Sequence, residues 1–260
     1  MLLHPKDREG LTVRVTTRWL AVGASITLFC CFGIAQETAR ETMALNSIVE
    51  NLEKAQAGLR PQVSYQVIRE YRLFGTNNSS TDSDVVAEVD FRPPTTEDYR
   101  IQKSSGSSRG QQVVRRVLDH EVEAASNGKQ ASRAINRDNY DFNYIGEEIL
   151  GGQTCYLLGL KPKRREKDLV SGQVWVDKHS FFARQIEGEL AKTPSWWLRK
   201  VHVKLTFADL NGTWMQTSME AVADVRIVGP QTLTSSVLDY RSAGEVASTR
   251  ASVRSLNRKQ

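Results

Sequence analysis

The chain has 260 residues, 25% charged and 40% apolar, enough for one large β domain or two small ones and ordinary for a folded globular protein. Its formal net charge is +5, and residues 1–35 carry a surplus of two, so the remaining +3 is too small and too scattered for a nucleic-acid footprint. Of three cysteines, Cys30 and Cys31 lie together near the N-terminus, which leaves Cys155 without an intramolecular disulfide partner and without a cysteine zinc site.

Taken in order, Trp19 to Ala35 is an uncharged, mostly apolar run preceded by Arg14 and Arg18, with small residues before Gln36. That shape predicts a signal peptide over 1–35 cleaved after Ala35, with a membrane anchor over residues 19–35 as the alternative. Thr38 to Leu59 predicts a helix, since Met43, Ile48, Leu52 and Ala55 recur at helical spacing and Gly58 and Pro61 stop it. Ser64 to Phe74 predicts a first strand and Val85 to Arg92 a second, ended by Pro93-Pro94, with a third beginning at Tyr99. Lys103 to Gly110 reads as a Ser/Gly-rich loop. The amphipathic run Val113, Val114, Val117, Leu118, Val122, Ala125 predicts a helix placed to lie across the sheet as a lid. Arg115, Arg116, Asp119, Glu123 and His120 fall on its outer side, and 124–138 reads as a polar link.

From Tyr140 to Tyr240 strand follows strand. Val201, Val203, Leu205 and Phe207 alternate with Lys200, His202, Lys204 and Thr206, the period of a strand with one apolar and one wet face. Asn211-Gly212 is a hairpin signal. The fold class expected is mainly β (α+β): a strongly curved antiparallel half-barrel meander with an N-terminal helix and a lid-like helix. The domain is expected over 36–245, with 246–260 a flexible polar tail.

Catalytic and metal chemistry find little support. His120, His179 and His202 are far apart, Glu147 and Glu148 point to opposite faces of a strand, and no nucleophile elbow, phosphate loop or dinucleotide fingerprint occurs. The reading is a non-enzyme with no cofactor and no metal. Cys155, inside a strand, reads as a buried small hydrophobe. What the chain offers is aromatic and aliphatic surface on curved strands: Tyr65, Val67, Phe91, Tyr99, Trp175, Val203, Leu205 and Trp214. These residues either line an apolar cavity or pack against the helices.

The order of the pieces carries a resemblance: a helix through Leu45-Asn46-Ser47-Ile48-Val49-Glu50-Asn51-Leu52, the strand Val63-Ser64-Tyr65-Gln66-Val67, then Phe91-Arg92-Pro93 followed by Tyr99-Arg100, and a meander with Asp177 after a strand and an Asn-Gly turn. From Thr38 to Tyr240 this resembles the periplasmic outer-membrane lipoprotein-sorting family, the LolA/LolB-like fold. The resemblance implies an exported periplasmic carrier whose apolar cavity takes lipid or lipoprotein acyl chains. It also implies that Arg92, or secondarily Arg100, holds the lid. An alternative on the same fold is an envelope-sensing or protein-docking module using Lys163, Arg164 and Arg165 with Trp196 and Trp197.

Overall fold

Period-two alternation of apolar residues dominates the chain, and strands result. The computed structural model describes residues 44–59, 63–76, 81–125 and 129–242. The apolar run 19–35, its cleavage point, the start of the first helix and the tail 246–260 lie outside those residues. All described residues but Ala44 belong to one unit, Leu45–Gln260.

Helix α1 covers residues 44–57. Three strands follow, β1 (Tyr65–Phe74), β2 (Thr81–Arg92) and β3 (Thr96–Gly106), then helices α2 (Ser108–Ala125) and α3 (Lys129–Arg133). The second series is β4 (Tyr140–Leu150), β5 (Gln153–Pro162), β6 (Val170–Asp177), β7 (Ala183–Leu190), β8 (Leu198–Leu210), β9 (Thr213–Val225) and β10 (Gly229–Ser242). Asn211 and Gly212 both take positive φ in the β8–β9 hairpin, as the Asn-Gly signal predicts.

These ten strands form one antiparallel sheet in the order β3-β2-β1-β10-β9-β8-β7-β6-β5-β4. The run 140–240 is the expected meander, and the first three strands form a second one, joined to it by β1 pairing with β10 (Val67 opposite Tyr240). The sheet is open, with β3 and β4 as its edges. The connection carrying α2 and α3 therefore runs from one edge to the other. Helix α2 packs on β1, β2 and β3, yet its His120 lies 2.8 Å from Asp168 in the loop between β5 and β6. In a flat sheet β1 and β6 would stand roughly 24 Å apart, five strand spacings. The contact requires the sheet to curl around the helix, and the bulges in its ladders supply bends.

Two apolar clusters fill the inner face. Ile48, Val49 and Leu52 of α1 pack with Leu158, Leu160, Val174, Val176, Ile186, Val201 and Val203. Val114 and Leu118 of α2 pack with Tyr71, Val85, Ala87 and Val89. A small third cluster, Cys155, Leu157 and Trp175, covers the opposite face of β5 and β6. Among the described residues, no helix is long and apolar enough to cross a membrane.

One local expectation is corrected. Residues 103–106 are strand, not loop, and α2 starts at Ser108. β3 is an edge strand whose last residues are exposed, so serine and lysine there reflect solvent, not irregular backbone. Ser107 caps the helix: its hydroxyl accepts from the Gly110 amide at 2.9 Å. Its amide donates to Asp82 O at 2.8 Å. Gly106 has a φ of 89°, and a Cβ there would sit 2.2 Å from Asp82 O, so only glycine lets the chain turn this close to β2.

Candidate functional site

The inner face is the candidate site, and strand parity decides which residues reach it. On β1, Val67, Arg69, Tyr71 and Leu73 alternate inward and are buried. Tyr65, in the same register, stacks on Phe91 at 4.9 Å and lies 5.7 Å from Tyr240. Tyr99 packs under α2 and its hydroxyl donates to Asp119 of that helix at 2.7 Å. Val203 and Leu205 belong to the α1 cluster. Trp214 stands beside Phe182 and Arg184, and its indole donates to Ala183 O at 3.2 Å.

Three expected residues are not brought to this face. Trp175 stands opposite Val174 and Val176, packed on Cys155 and Leu157, and its indole donates to Glu148 at 2.8 Å. Alternation excludes it: Val174 and Val176 claim the inner side, so Trp175 must take the other. Arg92 follows the inward Phe91 and so takes the other side of β2, where it is exposed and pairs with Asp98 of β3. Arg100 likewise pairs with Glu88 away from the helix.

The inward arginine is Arg69, which donates to the Gln216 carbonyl. Beside it the Tyr71 hydroxyl donates to Glu121 of α2 at 2.8 Å. Burial and the adjacent Glu121 push the Tyr71 phenol well above its ordinary range. Burial, reinforced by Glu121, raises Glu97 to about 7, against the opposing pull of Arg69 and Arg133. The polar group under the lid is thus Arg69, Tyr71, Glu97 and Glu121. Its signal was present in the sequence: Arg69 and Tyr71 share the register of Tyr65 and Val67, and Glu121 lies four residues beyond Val117 on the apolar stripe of α2.

The basic run is largely tied down. Arg164 donates to Ser132 O at 2.8 Å and pairs with Glu166. Lys163 donates to Arg137 O and lies 3.7 Å from Asp141. Asp177 caps the turn after β6, accepting from the amides of His179 (3.0 Å) and Ser180 (2.9 Å). Cys155 is buried, and burial followed by Asp177 pushes its thiol up. Among the described residues, no group of three His, Cys, Asp or Glu could hold a metal.

Between the helix-covered halves runs a half-buried apolar strip. Leu205, Phe207, Ala221 and Ala223 edge the α1 cluster, Met219 edges the α2 cluster, and Ala221 touches both. Their positions on β8 and β9 place them at the middle of the sheet.

No family model matches the chain, and no curated protein does. Solved structures do. The chain is similar to structures of the LolA superfamily. A domain described as an outer membrane lipoprotein-sorting protein, from Vibrio parahaemolyticus, is 16% identical with a TM-score of 0.39 over 75% of this chain and 92% of that one. A LolA superfamily protein from Nitrosomonas europaea is 14% identical with a TM-score of 0.34 over 75% and 92%. The complex of MucA with MucB from Pseudomonas aeruginosa matches at 12% identity and a TM-score of 0.26, over 75% of this chain and 98% of that one.

Proposed function

We propose that this chain is an exported, periplasmic, non-enzymatic carrier that holds lipid or lipoprotein acyl chains against the inner face of its sheet, in a domain spanning 36–245. The observation that carries the reading is the half-buried strip of Leu205, Phe207, Met219 and Ala221 between two helix-covered cores. Each methylene laid on it would contribute about 0.8 kcal/mol of apolar burial. Tyr65, Val67, Phe91, Tyr99, Val203 and Trp214 form the walls beside it, and Tyr71, donating to Glu121, ties the lid helix α2 to the sheet. The Tyr71–Glu121 bond takes the lid-holding part that the family resemblance assigns to Arg92.

The test is titration of the purified chain with a fluorescent acyl probe. Met219→Glu places a charge on the strip and should cut uptake at least about tenfold, the cost of burying one unpaired carboxylate. Lys200→Gln, on the solvent side of β8, should leave uptake unchanged. Equal uptake by both variants would remove the strip from the site.

A second reading, a protein-docking module on the same fold, is favoured by the edge strand β4, where Ile145 and Ile149 are exposed beside backbone groups that no second strand among the described residues pairs. A peptide captured by β4 with no acyl probe taken up would decide for it.

A further inference from the structure

We propose that the end of the sheet formed by the β7–β8 and β9–β10 loops docks onto the surface of a phospholipid bilayer carrying anionic headgroups. This goes beyond the acyl-binding reading and holds whether or not the inner face takes a ligand. Trp196 is 78% and Trp197 37% exposed at the tip of one loop, and Ile227 is 90% and Val228 47% exposed at the tip of the other. The two tips are stitched together: the Arg226 amide donates to Trp197 O at 2.9 Å and its side chain to Trp196 O at 2.8 Å. The four apolar side chains therefore form one patch, held on a hydrogen-bonded frame, where an isolated exposed residue would carry no meaning.

The charge around the patch selects the partner. Residues 191–200 contain Lys192, Arg199 and Lys200 and no acidic residue. The basic loop after β5 runs alongside, since the Ala191 amide donates to Leu169 O at 2.8 Å. Arg199 and Lys200 pair with Asp224 and Glu189, whereas Lys192, Arg165 and Lys167 stand outside the ion pairs of the described residues. Protein interfaces enrich tryptophan but deplete lysine. A tryptophan pair with projecting aliphatic tips and flanking lysines fits the headgroup boundary, where indole rings settle and cations meet phosphate.

The experiment uses the full chain carrying Trp19→Phe, which removes the indole of the N-terminal apolar run, mixed with vesicles of phosphatidylethanolamine and phosphatidylglycerol whose acyl chains are brominated. Two of the four remaining tryptophans lie on the patch, so contact with the bilayer should quench emission about twofold. The quenching should vanish when Trp196→Phe and Trp197→Phe are added, conservative changes on exposed side chains that leave the circular dichroism unaltered. It should weaken with Lys192→Glu and with purely zwitterionic vesicles. Equal quenching with and without the tryptophan pair would overturn the proposal. So would an unquenched parent, and if the same tryptophans became shielded by a co-purifying protein, the patch would be a protein interface instead.

Discussion

Glu97 is the residue whose chemistry the fold alters most usefully. Its carboxyl rises from 4.5 to about 7 because it is buried near Glu121, with Arg69 and Arg133 opposing. A raised carboxylate binds its proton more tightly in the folded state. Its contribution is fully present below about pH 4.5 and is lost as pH rises through about 7, because the unfolded chain holds fewer protons in that window. Urea unfolding at a series of pH values should show Glu97→Gln gaining on the parent by up to about 3.5 kcal/mol between those limits, since each pKa unit is worth about 1.4 kcal/mol. A pH-independent difference would mean that Glu97 does not titrate in the fold. None of this was visible in composition, because the group exists only once β1, β3 and α2 meet. Arg69, by contrast, could be placed on the inner face by counting in twos from Val67. Arg92 matches the family motif, yet the same counting places it on the face opposite to that of Phe91.

At the scale of elements, helix–sheet packing holds the molecule. Leu118 is fully buried among Tyr71, Val85 and Val89, so Leu118→Ala should cost about 2–5 kcal/mol in chemical denaturation. Exposed Arg116 changed to alanine should stay within about 0.5 kcal/mol. A small loss at Leu118 would mean that α2 is not seated on the sheet as described. The helix itself was legible because its apolar residues recur at 3.6-residue spacing over four turns. Its start was not. The stretch before it is polar because it forms a sheet edge, and the cap at Ser107 was hidden among neighbouring serines. The meander from Tyr140 to Tyr240 was legible for the opposite reason: alternation there is long and its turns carry Gly-Gly and Asn-Gly. Trp175 was misplaced because β5 and β6 are buried on both faces, which erases the alternation that assigns sides.

For the whole molecule, topology is what a sequence reading reaches least. Nothing local announces that β1 pairs with β10, 158 to 177 residues further along the chain, or that α2 bridges from one edge strand back toward the β5–β6 loop. Those two facts curl the sheet, divide its inner face between two helices and leave the central strip of β8 and β9 half covered. A strip of that kind is either a ligand seat or an incompletely packed core. The most direct test is native mass spectrometry of the chain purified from a cell envelope, with its organic extract analysed for lipid. The account predicts a folded protein that carries co-purified phospholipid or acylated peptide and releases it on extraction. A folded protein of unliganded mass, with no acyl chain in the extract and no uptake of added lipid, would contradict it.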